Sequence, residues 1–335
     1  MSDEDDPSIG PGSGPTDRLR RALPDPTTLS TLGLVSIPGF LVPSLERLQV
    51  FALFFLFGFW PLLSALFPSR GASPADWVAI GDAAYGRRAV LTSIPTFVNP
   101  WVQWQGLKQL LGQVAVLARY RGRLPSPETY EQSTDLRLPF DGEWTVVNGS
   151  PRKEHSHSWG IYAQRYAADL VVTDAEGRTH EGDGSRADQY HCWDEPVLAP
   201  AAGVVAEASD GHRDYPKAGG RIDPFQRDIR GNYVVLDHGD GEYSVLAHLR
   251  EGSVSIREGE RVERGQLVGR CGNSGNSTEP HLHYHVQDRA SFYTGMGLPV
   301  QFEGLRRDDG PGTEPERVDR DYVSLGQRVA PLPAE

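Results

Sequence analysis

The stretch Pro280-His281-Leu282-His283-Tyr284-His285-Val286 constrains this chain more than any other. Imidazoles alternate with core-type side chains, and that is the period of a β-strand, whose successive residues point to opposite faces. His281, His283 and His285 therefore share one face, while Leu282, Tyr284 and Val286 turn to the other. Same-face neighbours lie roughly 7 Å apart between Cα atoms, so two imidazoles can serve one small polar site. One can hold a metal while its neighbour moves protons, because imidazole binds zinc when neutral and titrates near neutral pH. A Gly/Asn/Ser-rich loop, Cys271 to Thr278, leads into the strand. It has no GxGxxG or P-loop spacing and no Lys follows it, so it reads as a tight backbone path rather than a phosphate cradle.

Short β-type runs separated by Gly, Asn and Asp begin at about residue 136: Glu143 to Val147, Val197 to Val205, Asn232 to Asp237 and Tyr243 to Leu249. That pattern predicts a mainly β unit of antiparallel strands over 136–303. Two polar residues stand inside apolar strands, Asp169 before Leu170-Val171-Val172 and His248 after Val245-Leu246-Ala247. A buried carboxylate is costly unless it is paired or bound to a metal. A His, an Asp and a second His form a three-ligand set with a fourth position left open, the arrangement of catalytic zinc. Further histidines beside it can act as base and oxyanion stabiliser.

Residues from about Leu138 to Gln287 resemble the lysostaphin/LytM-type zinc metallopeptidases. The matching text is Ser156-His157-Ser158-Trp159 with Gln164 to Asp169, then Pro196 to Val205, Gly231 to Gly239 and Ala247-His248-Leu249. Val262 to Gly272, Gly275-Asn276-Ser277 and His281-Leu282-His283 complete it. The resemblance implies a duplicated hybrid motif fold of barrel-sandwich type. It also implies zinc held by His157, Asp169 and His283, with His248 and His281 acting on the attacking water and the tetrahedral intermediate. Two departures stand out. The insert between His157 and Asp169 is long for the family, which leaves His155 as an alternative first ligand. Two residues beyond the second HxH histidine, where Glu or Gln is usual, this chain has His285, either orienting a ligand or filling the strand face.

Upstream, residues 1–28 are acidic and then rich in Pro, Gly and Ser, a composition that predicts disorder. Leu48 to Phe67 is uncharged and about the length of a bilayer-spanning helix, so 29–127 reads as a membrane-associated helical region with a single span at about 48–67. Arginines flank the span on both sides and give no clear vote on orientation. An extracytoplasmic catalytic domain at the cell membrane is the favoured arrangement. Trp101, Trp104, Leu107, Leu111, Val114 and Leu117 recur at helical spacing, as a helix lying on the membrane or packing in a small linker domain. The tail, 304–335, is charged and Pro/Gly-rich and reads as irregular.

A net charge of −12 argues against nucleic acid as a partner. Acidity with only three lysines suits a halophilic source. Cys192 and Cys271 read as buried small residues, with one bridge as the alternative. The function expected is a membrane-anchored zinc endopeptidase acting on a peptide or protein substrate, a cell-envelope peptide among the candidates. The alternatives are a non-catalytic binding or regulatory module of the same fold and, behind it, a phosphoryl carrier that would have no use for Asp169 and His283.

Overall fold

The computed structural model describes residues 26–59, 73–82 and 84–333. They fall into two units that divide at residue 60. The first is helical: α1 (Pro26–Ser30), a 3-10 turn, α2 (Ile37–Leu41) and a 3-10 helix over Pro43–Phe59. Among the described residues no helix is long and apolar enough to cross a membrane. Of the span expected at 48–67, residues 60–67 lie outside the described residues, as do all but the last three of the stretch expected to be disordered.

Among its described residues the second unit holds thirteen strands, β1 (Trp144–Asn148), β2 (Ala168–Val171), β3 (Pro196–Leu198), β4 (Gly203–Ser209), β5 (Asn232–Asp237), β6 (Tyr243–Leu249), β7 (Arg261–Val262), β8 (Leu267–Arg270), β9 (Leu282–Gln287), β10 (Gly297–Leu298), β11 (Phe302–Asp308), β12 (Glu316–Asp321) and β13 (Arg328–Pro331). The main sheet runs β12-β11-β13-β1-β2-β9-β6-β5-β4-β7, with β10 on β9, and β3-β8 form a small second sheet. The architecture is mainly β and antiparallel. Alternation decides its faces. Leu282, Tyr284 and Val286 of β9 join Leu170, Leu246, Val234 and Leu236 in the main core. On the opposite side Val235, Val245 and Ala247 form a small separate cluster beside the histidines.

The tail is not irregular. β11 and β13 extend the sheet beside β1, burying Phe302, Leu305 and Val329 in the core. Its charges pair with one another across the strands: Arg307 with Asp321 (2.6 Å) and Arg328 with the buried Asp308 (2.9 Å). Paired charge looks like a solvated tail in a sequence because opposite partners are far apart in the chain.

The boundary expected near residue 127 is also absent. From residue 73 onward the described chain belongs with the β domain. α3 (Tyr85–Ser93) and α4 (Pro100–Tyr120) are strapped across it. Asn99 caps α4 with its Oδ1, which accepts from the Trp101 and Val102 amides, and Pro100 at the first position needs no N–H partner. The same Asn99 donates its amide to the carbonyls of Pro224 and Gln226. At Gly112 the helix lies so close that a Cβ would meet the Tyr293 carbonyl oxygen at 1.8 Å, so only glycine fits.

Cys192 and Cys271 are free and buried. Burial pushes the Cys271 thiol up, well above its ordinary range.

Candidate functional site

Strand pairing brings the carboxylate and the histidines together. Asp169 on β2 lies directly opposite His283 on β9, and Ala247 of β6 flanks His283 on the other side. A small residue there leaves room over the sheet. The His283 Nδ1 stands 2.8 Å from Asp169 Oδ1, His157 Nδ1 is 3.5 Å from Oδ2, and His281 Nε2 is 3.7 Å from Oδ1. His248 packs against this group, its ring centroid 4.7 Å from that of His281 and 5.7 Å from that of His283. They line a cleft of about 250 Å³ whose walls include Ile229, Arg230, Asn276 and Phe292.

The insert between His157 and Asp169 closes on itself. Ser156 and Ser158 donate to the carbonyls of Arg165 and Gln164, and a 3-10 turn over Tyr162–Gln164 returns the chain. His157 therefore reaches the carboxylate despite the length of the insert, with its ring 59 % exposed at the cleft edge. His155 points elsewhere, into a cavity with Pro74, Arg152 and Tyr322.

Two histidines present a bare nitrogen to the cleft. His248 Nδ1 lies 2.8 Å from the Ser274 carbonyl and His281 Nδ1 2.8 Å from the Glu279 carbonyl. A carbonyl only accepts, so in both rings Nδ1 carries a proton and the neutral form has its lone pair on Nε2. Burial, reinforced by His281 and His283, holds His248 well below the ordinary histidine range, so it is neutral at pH 7. His248 also has left-handed backbone, φ 61°, an uncommon conformation for a residue with a Cβ.

A hydrogen-bond chain fixes the proton on His283. The Gln287 amide donates to the carbonyls of Arg289 (2.8 Å) and Ala290 (3.0 Å), so its Oε1 faces His285 Nε2 at 3.2 Å. That nitrogen must donate. Burial pushes His285 down to about 3, so it is neutral and its Nδ1 is a lone pair. That lone pair takes the proton of His283 Nε2 at 3.1 Å. His283 Nδ1 is then left without a proton of its own, facing a carboxylate. Either an added proton or a cation must lie between them. Burial raises Asp169, but a proton shared with His283 and the electrostatic pull of His281 and His157 outweigh it and hold the carboxyl well below its usual range.

Among the described residues no group of three or more His, Cys, Asp or Glu side chains is spaced as an assembled metal site. The Asp169–His283 contact closes the gap a cation needs. The donor chemistry nonetheless fits zinc: two imidazoles and one carboxylate, with the tautomer of the His283 ring set from behind.

Residues 188–294 match the model of Peptidase family M23. This chain carries an M23 peptidase domain. The matched stretch contains His248, His281, His283 and His285, while His157 and Asp169 precede it. The M23 domain is 43% identical over 91 residues to the peptidoglycan DD-endopeptidase ShyA of Vibrio cholerae, covering 27% of this chain and 17% of that protein. It is 31% identical over 142 residues to the glycyl-glycine endopeptidase ALE-1 of Staphylococcus capitis, covering 42% of this chain and 33% of that one. The chain thus spans a third or less of the length of these relatives. The catalytic domain of lysostaphin from Staphylococcus simulans aligns with 47% of the chain and 88% of its own length, at 19% identity and a TM-score of 0.27.

Around the candidate site, three contributors escape a reading of the sequence. Asn148, at a bulge between β1 and β2, accepts from the His157 amide (3.0 Å) and donates to Asp169 Oδ2 (3.2 Å). Gln287 and the Ser274 carbonyl orient His285 and His248. Only Gln287 leaves a trace in sequence, at the next same-face position of β9. His238, by contrast, is structural, bridging the Ala202 carbonyl and Ser244 Oγ.

Proposed function

We propose that this chain is a zinc-dependent metalloendopeptidase acting on cell-envelope peptides, held at a membrane through the region of the apolar run 48–67, with its catalytic domain on the extracytoplasmic side. One observation carries the chemistry: Asp169 faces His283 Nδ1 with His157 beside it, and His248 and His281 turn bare Nε2 atoms to the same point. His157, Asp169 and His283 are the residues that would hold zinc. Zinc supplies Lewis acidity at a carbonyl and makes water acidic enough to attack at neutral pH. The chain's own groups do the rest. His248, neutral through burial, accepts a proton at Nε2. His281, once protonated there, donates a hydrogen bond to the oxygen on which charge develops. Phe292, Ile229 and Ala247 give the cleft an apolar lining that limits water around the reacting bond. The names of the relatives, a peptidoglycan endopeptidase and a glycyl-glycine endopeptidase, favour a wall-type peptide substrate.

The direct Asp169–His283 contact is what favours the second reading, a non-catalytic M23 module that binds its ligand without a metal. Zinc content separates the two. On the first reading the purified chain takes up one zinc and cleaves peptidoglycan-derived peptides. His281→Ala then keeps the zinc and loses about 10²–10⁴-fold in rate, and His283→Ala loses both. A zinc-loaded wild-type chain that leaves a broad set of such peptides intact overturns the proposal.

A further inference from the structure

α4 is packed the wrong way round for a helix of a water-soluble surface. Its covered face is polar or small: Gln105, Gly112 and Gln113 are buried, with Val116. Gln105 accepts from the Ile229 amide and donates to the Arg227 carbonyl, and Gln113 accepts from the Tyr162 amide. Its outer face is apolar. Trp101, Trp104, Leu107, Leu111 and Val114 recur three or four residues apart on one stripe and are 56, 57, 42, 51 and 45 % exposed. The segment before it continues the pattern with Leu91, Ile94, Phe97 and Val98 exposed. Isolated exposed apolar residues need no explanation, but a run of this length does.

Charge says what the run meets. The chain has a net charge of −12, yet residues 84–127 hold Arg87, Arg88, Lys108, Arg119, Arg121 and Arg123 and no Asp or Glu. Arg87, Arg121 and Arg123 are exposed and form no ion pair among the described residues. A helix with tryptophans on an apolar stripe, flanked by exposed arginines in the adjoining segments, matches the boundary between anionic headgroups and acyl chains. We infer that the α3–α4 face docks in the interfacial layer of a bilayer bearing anionic lipids, independently of the span proposed at 48–67 and of the catalytic reading. Through Gln105 the same helix holds the 227–229 wall of the cleft. Docking therefore sets that wall beside the membrane and restricts the cleft to substrates lying close to its surface.

The test reads the face itself, because the apolar run upstream could hold the protein to vesicles unaided. Leu107→Cys is introduced in the full chain and labelled with an environment-sensitive fluorophore, the two native cysteines being buried. A label at Glu258→Cys, an exposed site, serves as reference. On vesicles containing phosphatidylglycerol the Leu107 label should shift to the blue and be quenched by brominated acyl chains, while the reference label stays in water. Arg121→Glu with Arg123→Glu, or raised salt, should weaken that signal about tenfold. A Leu107 label that remains in water on bound protein overturns the inference. Equal insertion into pure phosphatidylcholine overturns the commitment to an anionic surface. Shielding that needs no vesicles and grows with protein concentration assigns the face to a second copy of the chain instead.

Discussion

His285→Phe tests whether the hydrogen-bond chain behind His283 sets the nitrogen proposed to bind zinc. The substitution keeps a planar ring in a site that is 1 % exposed and already lies 6.2 Å from the Phe292 ring, so gross packing survives. It removes two buried hydrogen bonds, at 3.1 and 3.2 Å, and leaves the His283 Nε2 proton and Gln287 Oε1 without partners. Lost bonds of this kind cost about 1 kcal/mol each, and stranded buried groups bring the total to about 2–4 kcal/mol of stability. Freed from its acceptor, the proton can move to Nδ1, the atom that faces Asp169. Zinc affinity should then fall about 10–100-fold, or about 1.4–2.7 kcal/mol. Competition with a chromophoric chelator measures the affinity, and thermal unfolding of the metal-free chain measures the stability. His285→Gln, which can accept from one side and donate to the other, should recover most of the affinity. A Phe variant that holds zinc within twofold of wild type refutes the argument, since the tautomer would then be set by something else.

His157→Ala should abolish tight zinc binding while His155→Ala leaves it unchanged, as read by metal content after dialysis, because only His157 reaches the carboxylate. Burial raises Glu279 from its ordinary 4.5 to about 7. The native carboxyl thus keeps its proton where the unfolded one has lost it, so its contribution to stability falls as pH rises from 4.5 to 7, by about 3 kcal/mol. Glu279→Gln should flatten that part of a denaturant-derived stability profile, and an unchanged slope would count against it. His285 acts in the opposite sense: its ring stays neutral down to about 3, so its contribution is complete above pH 6.5 and is lost on acidification toward 3. In metal-free protein the Phe variant should accordingly lose less stability between those limits. Leu305→Ala in β11 should cost about 2–5 kcal/mol by urea unfolding, as for a fully buried leucine, and a cost near zero would mean that the tail does not share the core.

Period is a local property, and the features that depend on it were legible. Three histidines on one face of β9 follow from alternation alone, as does the opposite face of Leu282, Tyr284 and Val286. The helix over Trp101 to Leu117 was equally plain, but not which side of it is covered. Hydrophobicity points to the apolar stripe, whereas the contacts run through Gln105 and Asn99 to residues 122 to 127 positions away. Such pairings carry no signature in either partner's neighbourhood. The β11–β13 tail was hidden for a related reason, since charges that neutralise one another across a ladder look in sequence like charges facing water. Asn148 was missed because an asparagine beside a Gly-Ser pair reads as a turn. Its bulge places it against Asp169 only once β1 and β2 have paired.

Backbone meets backbone where Gly112 of α4 rests on the Tyr293 carbonyl. No rotatable group lies between them to absorb a small displacement. A shift of the helix toward the domain therefore meets the Tyr293 backbone directly, next in the chain to Phe292 on the cleft wall. The position of the helix and the position of that wall are thus tied at a contact with no side chain to spare.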